Sequence, residues 1–266
     1  MNPRLTIVTP SLNQAAFLEQ TIDSVLSQNY PNLEYIVVDG GSTDGSVEII
    51  RRHERYLTHW ESRKDTGPPS AINRGFGCGT GEILAYLNSD DTYEPGAIAG
   101  AVEALQKQPR VGVVYGDIRF IDEFGKPTTF PGKRATLYRA APFIAGALYH
   151  NAMFVPQQAS FWRRATYDAA GPMNEENWTC WDHEFFIRAS LAGYRFSRIP
   201  HVLAAFRIHP QSISSENRWE DRRTRDHQRI DAQIVAGGYK RSAPMEMFYR
   251  CCVMFLRSSR YLFPGL

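Results

Sequence analysis

Cysteine is scarce in this 266-residue sequence: Cys78, Cys180, Cys251 and Cys252 are the only four. Two are adjacent and none shows CxxC spacing. That excludes a disulfide framework or a zinc site and fits a reducing compartment. An excess of charge of one sign is missing too. Thirty basic residues against 28 acidic ones leave a net charge of +2, too balanced to expect nucleic acid as a partner. No window reaches the ~20 apolar residues of a membrane-spanning helix. The chain also enters Leu5-Thr-Ile-Val8 without the apolar run of a signal peptide. A cytoplasmic protein is therefore expected, at most peripheral at the inner face of the cell membrane. Finally, the segment Thr9-Pro-Ser-Leu-Asn13 holds no Gly-rich basic loop. This counts against nucleotidyl transfer, which would usually need one there.

What is present is ordinary globular material, 43% hydrophobic and 22% charged, enough for one large α/β domain or two small ones. Short apolar runs at 5–9, 35–38, 57–62, 83–87 and 111–121 predict strands. Helical spacing predicts helices over 14–28, 45–55, 70–78 and 95–108. Alternation of this kind implies an α/β fold with a mostly parallel sheet and helices on both faces. The second half is less regular. Residues 125–139 read as loop, 179–193 as helix, 196–199 and 202–208 as strands, and 216–236 as very polar. Residues 245–262 mix aromatics and methionines with Arg250, Arg257 and Arg260. This pattern suits either a basic amphipathic helix on a membrane surface or a helix docked on the protein itself or a partner. The expected division is a catalytic domain over 1–215 and a helical, basic extension over 216–266.

Ligands of such sheets bind beyond the carboxyl ends of the strands, and polar clusters stand at three of those ends. The run Leu84-Ala-Tyr-Leu-Asn-Ser-Asp-Asp-Thr92 stops abruptly at Asn88, Ser89, Asp90 and Asp91. Carboxylates there are costly unless something binds them. A hard divalent cation shared with phosphate oxygens is the natural partner, and a simple turn is the alternative. Asp39 follows Ile36-Val-Val38 and can accept from a nucleobase imide or ribose hydroxyls, while Gly40 and Gly41 allow close backbone approach. Ser42 and Asp44 are better explained as caps of the next helix. Asp65 and Asn73 suit the rest of a nucleotide pocket, or a solvated charged loop. In Trp181-Asp-His-Glu-Phe185, a carboxylate among aromatics is partly desolvated, which raises its pKa toward the range of a general base. Asp182 and Glu184 point different ways on a helix, so one is expected at the site and the other paired with Arg188. Arg207 and His209, two apart on a strand, together suit a diphosphate and its metal.

These pieces resemble the inverting nucleotide-sugar glycosyltransferases of family 2, which have the GT-A fold. The matching elements run from Thr9–Asn13 through 24–28, 37–45, Asp65/Gly67, Ala71-Ile-Asn73, Leu87–Asp91 and Asp182-His-Glu184 to Phe206-Arg-Ile-His209. Together they cover roughly 4–210 and are far more specific than any one alone. The resemblance implies that Thr9, Pro10, Ser11 and Asn13 line the nucleotide. Asp39, with Ser42 beside it, binds base or ribose, and Asp65 with Asn73 closes the base pocket. It makes Asp91 the principal metal ligand, with Asn88, Ser89 and Asp90 contacting ribose or sugar. Asp182 becomes the base that deprotonates the acceptor hydroxyl. Arg207 meets the diphosphate, His209 the metal, and Gln158, Trp181 and Glu184 border the acceptor.

The implied reaction is metal-dependent transfer, with Mn²⁺ or Mg²⁺, from a nucleotide sugar (UDP favoured) to a saccharide or lipid-linked acceptor. A homo-oligomer is left open. Three departures stand out: Asn88 replaces the first carboxylate of a strict Asp-x-Asp, Trp181 replaces the usual Glu before Asp182, and Pro68-Pro69 replaces a more polar pair. Nucleotidyl transfer, or a non-catalytic nucleotide-sugar-binding subunit, are the competing readings.

Overall fold

The computed structural model describes residues 2–213 and 219–262, with side chains for 2–213 and 219–256. The first 86 residues alternate strand and helix as the periodicity predicts. They form β1 (Leu5–Ser11), α1 (Leu18–Leu26), β2 (Leu33–Asp39), α2 (Ser46–His53), β3 (His59–Ser62), α3 (Pro68–Cys78) and β4 (Ile83–Tyr86). β1 pairs in parallel with both β2 and β4, and β2 with β3. The rest of the chain supplies β5 (Thr92–Tyr93), α4 (Ala97–Lys107), β6 (Val111–Ile121), β7 (Leu137–Tyr138), α5 (Ala145–Tyr149) and β8 (Ser160–Arg163). It ends with α6 (Arg164–Ala170), α7 (Trp181–Leu191), β9 (Arg195–Arg207), α8 (Glu220–Ala236) and α9 (Ala243–Leu262).

Among the described residues the strands form one sheet in the order β3-β2-β1-β4-β8-β6-β9-β5, with β7 on β6. β8 runs antiparallel to both β4 and β6. The parallel part is thus the first four strands, and beyond it the sheet is mixed.

Both faces of the parallel part are covered, so β1, β2 and β4 are mostly apolar and buried. Parity decides which core each residue joins. Val8, Ile36, Val38, Leu84 and Tyr86 pack toward α3, α7 and α8. Leu5, Ile7, Tyr35, Val37, Ile83 and Ala85 pack toward α1, α2 and α4. Gly75 lets α3 lie directly on β1, since a Cβ there would stand 2.5 Å from Val8.

Two elements differ from their expected extents. The helix expected from residue 14 begins at Leu18, because Asn13 takes a left-handed φ of 52° and turns the chain first. The strands expected at 196–199 and 202–208 are one strand, β9. Its register against β6 jumps between Tyr115↔Arg198 and Asp117↔Val202. This bulge absorbs Pro200, which has no N–H to give a ladder.

The C-terminal helices dock on the body. α8 buries Ile230 and Ile234 completely in the core shared with α7, worth about 2 kcal/mol per side chain. α9 buries Val253 and sets Tyr249 against His150 and Tyr239. Its outer face leaves Met247, Phe248, Met254 and Phe255 exposed. Among the described residues no helix is long and apolar enough to cross a membrane. Residues 216–218 and the side chains of Arg257 and Arg260, part of the expected basic extension, lie outside the described residues.

Candidate active site

A cavity of about 810 Å³ opens where β1 and β4 end. Its walls come from Pro10, Ser11, Leu12 and Gln14 at and after the end of β1, from Asp65, Gly67 and Pro68 at the start of α3, and from Asn88, Ser89 and Asp90 after β4. Tyr86, residues 151–154, Gln157 and Gln158, residues 178–183, Phe206, residues 211–213, Trp219 and His227 also line it. Of the residues expected at the site, Pro10, Ser11, Asp65, Asn88, Ser89, Asp90, Gln158, Trp181 and Asp182 line this cavity. Ser11 Oγ and Gln158 Oε1 are buried in its wall without hydrogen-bond partners.

The acidic turn is both a turn and a site. Asp91 N–H closes it on Asn88 O at 3.1 Å. Asp90 stays on the cavity wall, where His209 Nε2 lies 3.0 Å from its Oδ2. His209 is itself buried against the Phe17 ring.

Asp91, expected as the metal ligand, is fully buried and not part of the cavity lining, and its Oδ2 has no hydrogen-bond partner. Its Oδ1 accepts the Arg207 N–H at 2.9 Å, and its backbone carbonyl accepts Thr21 Oγ1 at 2.8 Å. Burial, and then the neighbouring Asp90 charge, push its carboxyl well above the usual range. Arg207 is also committed. Its guanidinium donates to Asp90 O, Asp122 O, Glu123 O and Gln20 Oε1. It clamps the acidic turn from behind, with four of its five N–H donors spent on the protein.

Four other expected residues are engaged away from the cavity. Thr9 shares the parity of Ile7, so its hydroxyl meets Tyr35 Oη at 3.0 Å in the core. Asn13 Oδ1 accepts Thr43 N–H, and its own N–H donates to Ser42 Oγ. Asn73 holds the loop after α6, accepting from Met173 N–H and Tyr167 Oη and donating to Met173 O. Glu184 accepts from Asn174, Asn177 and Gln233 amides. The pairing with Arg188 does not form, because that guanidinium donates to Ala170 O and Pro172 O.

Asp39 is fully buried. It accepts from Gly41 N–H, Ser42 N–H, Ser42 Oγ and Ser62 Oγ, and so shapes the loop beside the cavity. Asp65 accepts Gly67 N–H at 2.9 Å and lies 3.6 Å from Arg74.

Asp182 is the cavity carboxylate with no side-chain partner. Burial lifts its pKa to about 6, opposed by backbone N–H groups at the start of α7. Trp181 beside it donates its indole N–H to Tyr86 Oη at 2.8 Å. His183 is held neutral: burial, then His227 and Arg241, lower it to about 4. Cys180 is pushed up to about 12 by burial, so it is a thiol and not a nucleophile.

Sequence reasoning missed Tyr86, Trp178, Trp219 and His227. Tyr86 was findable from strand parity, as the residue two before Asn88. His227 sits in a polar helix with nothing in its spacing to distinguish it.

The family described as glycosyl transferase family 2 matches residues 6–169. The chain belongs to that family. This family-2 glycosyltransferase is 31% identical over 195 residues to an uncharacterized glycosyltransferase of Mycobacterium tuberculosis, covering 71% of this chain and 70% of that one. It is 30% identical over 210 residues to a PGL/p-HBAD biosynthesis glycosyltransferase of Mycobacterium bovis, covering 76% of each. Its fold matches Staphylococcus aureus TarS 1-349 in complex with UDP-GlcNAc. The TM-score is 0.69 at 17% identity, over 98% of this transferase and 73% of that chain. It spans only 44% of the longer TarS chain. A mannosyltransferase from Pyrobaculum calidifontis, in complex with GDP-Man and Mn2+, matches with a TM-score of 0.66 at 20% identity, over 100% and 77%. The architecture is therefore the mixed α/β, GT-A-like one.

Proposed function

We propose that the protein transfers a sugar, with inversion, from a nucleoside diphosphate sugar to an acceptor hydroxyl. A UDP-sugar is the favoured donor, and cell-surface polysaccharide or glycolipid synthesis the favoured setting. The observation that carries this reading is the position of Asp182, raised to about 6 and opening into the same cavity as Asp90, which the buried His209 backs at 3.0 Å. A carboxylate with that pKa is largely ionised at neutral pH yet basic enough to take a hydroxyl proton. Asp65 is tied to Gly67 and Arg74, and Asp90 to His209. Asp182, met only by backbone N–H groups, is thus the one of these three cavity-wall carboxylates without a side-chain partner, and one base without a second nucleophile suits direct displacement with inversion.

Asp90 and His209 would hold the Mn²⁺ or Mg²⁺. Among the described residues no three His, Cys, Asp or Glu side chains converge into a complete metal cage. A two-donor site fits a cation that completes its shell with phosphate oxygens and water. Such a cation supplies positive charge to the departing diphosphate. Ser11 and Gln158, with their unpartnered oxygens, bind and orient the donor. The donor class is supported by the UDP-GlcNAc complex of TarS, and the glycolipid setting by the naming of the M. bovis relative. An acceptor carrying apolar groups is supported by Phe154 and Trp178 in the wall. The outer stripe of α9 would then rest on the membrane that holds a lipid-linked acceptor.

A thermal-shift screen of UDP-, GDP- and dTDP-sugars with Mn²⁺ or Mg²⁺ tests the reading. A true donor raises the melting temperature by mass action. A shift with free nucleotide triphosphates but none with any nucleotide sugar overturns it in favour of nucleotidyl transfer.

A further inference from the structure

We propose that Asp226, on α8, is a positioning residue for the catalytic base: it fixes the backbone that delivers Asp182 into the cavity. The inference rests on the reading of Asp182 as the base.

The segment before Asp182 has little to hold itself. Cys180, at the N-terminal boundary of α7, makes no side-chain capping bond. Asn177 Oδ1 takes Cys180 N–H at 2.9 Å and, more weakly, Thr179 N–H at 3.3 Å, which leaves Trp178 N–H and the Thr179 hydroxyl to be secured from elsewhere. One oxygen does this. Asp226 Oδ2 accepts Trp178 N–H at 3.0 Å, Thr179 N–H at 3.1 Å and Thr179 Oγ1 at 2.7 Å. The other oxygen, Oδ1, lies 3.4 Å from Arg229.

α8 also grips the far side of Asp182. Gln233, seven residues and two turns after Asp226, donates to Glu184 Oε1 at 2.7 Å. One helix thus holds the chain three residues before the base and two residues after it. Asp226 is 3% exposed, and a buried carboxylate is costly unless its bonds are satisfied. Packing alone would not require it, because Ile230 and Ile234 already bury the same helix against α7. What a carboxylate adds is directional: three donors converge on one atom and set the entry of α7. Asp226 is not among the groups that shift the Asp182 carboxyl, so its effect runs through the backbone. Misplacing a reacting group by about 1 Å can cost on the order of a hundredfold in rate.

The test compares Asp226→Ala, Asp226→Asn, Thr179→Val and Asp182→Asn in the full chain. UDP-GlcNAc, UDP-glucose and GDP-mannose are supplied with Mn²⁺, and nucleotide release is measured. Asp226→Ala should lower kcat by 10- to 100-fold with donor KM within about twofold. Asp226→Asn retains an oxygen for the three donors and should stay within about threefold of the parent. Thr179→Val removes the hydroxyl donor alone and should fall between them, so a collapsed alanine variant does not decide the matter. Parent-level kcat in folded Asp226→Ala, or in Thr179→Val, overturns the proposal. If Asp182→Asn releases nucleotide at the parental rate, the base assignment itself fails, and this is seen independently of Asp226.

A second readout needs no donor. In protein labelled with ¹³C at aspartate carboxyls, Asp182 should titrate near 6 in the parent and move toward the ordinary carboxylate range in Asp226→Ala. The neighbours Cys180, His183 and Tyr86 titrate elsewhere. An unmoved Asp182 signal also overturns the proposal.

Discussion

His209 Nε2 sits 3.0 Å from Asp90 Oδ2, although 119 residues separate them in the chain. β9 carries His209 back across the sheet to the end of β4, and the Phe17 ring fixes the imidazole at 4.7 Å. The pair forms the one place in the acidic turn where a cation would meet both a carboxylate and an imidazole. Asp90→Ala should therefore abolish any gain in UDP affinity brought by Mn²⁺, a loss of at least about tenfold, or about 1.4 kcal/mol. Calorimetry with and without Mn²⁺ reads this directly. Unchanged metal dependence removes Asp90 from the site.

Asp91 gives the matching control. Its Oδ1 holds the Arg207 N–H, and its carboxyl is pushed well above the normal range by burial. A neutral side chain of the same shape should serve, so Asp91→Asn is expected to keep both fold and Mn²⁺-dependent binding. Asp91→Ala leaves a buried N–H unpaired and should cost about 1–3 kcal/mol in urea unfolding. Loss of metal-dependent binding in Asp91→Asn would return the ligand role to Asp91.

The acidic turn shows what the sequence carries and what it does not. The strands, the helices of the first half and the clustering of Asp65, Asn88–Asp90 and Asp182 around one cavity were legible. Apolar periodicity and strand-end chemistry are local signals. Direction within a turn is not local. Whether Asp90 or Asp91 faces the cavity depends on Arg207, which reaches the turn from the far end of β9. Thr9 was misplaced although the parity of Ile7 and Tyr35 was available in the strand pattern. Asn73 and Glu184 look the same in sequence whether they bind a ligand or pin a loop, because only their partners at 173–177 and 233 decide.

Glu184 makes the structural role measurable. Three amide N–H groups point at its carboxylate. In Glu184→Gln one oxygen becomes an NH₂ that faces another donor. Destabilisation by about 1–3 kcal/mol is expected, with the thermal shift on donor addition retained. A variant that is fully stable but no longer shifted by donor would place Glu184 at the site after all.

The outer stripe of α9 is testable apart from the chemistry. Met247, Phe248, Met254 and Phe255 recur at helical spacing and stay exposed, while Val253 on the same helix is buried. The protein should co-sediment with vesicles containing phosphatidylglycerol, less so at high salt. Phe248→Glu with Phe255→Glu should abolish sedimentation and leave the donor thermal shift unchanged. A parent chain that stays in the supernatant removes the membrane from the account.

Asp182 links stability to activity with opposite signs. Its carboxyl titrates near 3.8 as a free group and near 6 in the fold. The folded state therefore binds this proton more tightly, and the ionised form opposes folding at any pH above about 6. Asp182→Asn removes that opposition. The variant should melt above the parent at pH 7, and the gain should shrink through pH 6 to 4, where both states of the parent become protonated. Activity runs the other way. The parental kcat should fall about tenfold per pH unit below 6 as the base is protonated. Asp182→Asn should lose on the order of 10²- to 10⁴-fold of transfer at pH 7, a gap that narrows below pH 6 as the parental base is protonated, with nucleotide-sugar binding intact. A variant at pH 7 that is both slower and less stable than the parent would identify Asp182 as a structural carboxylate rather than the base.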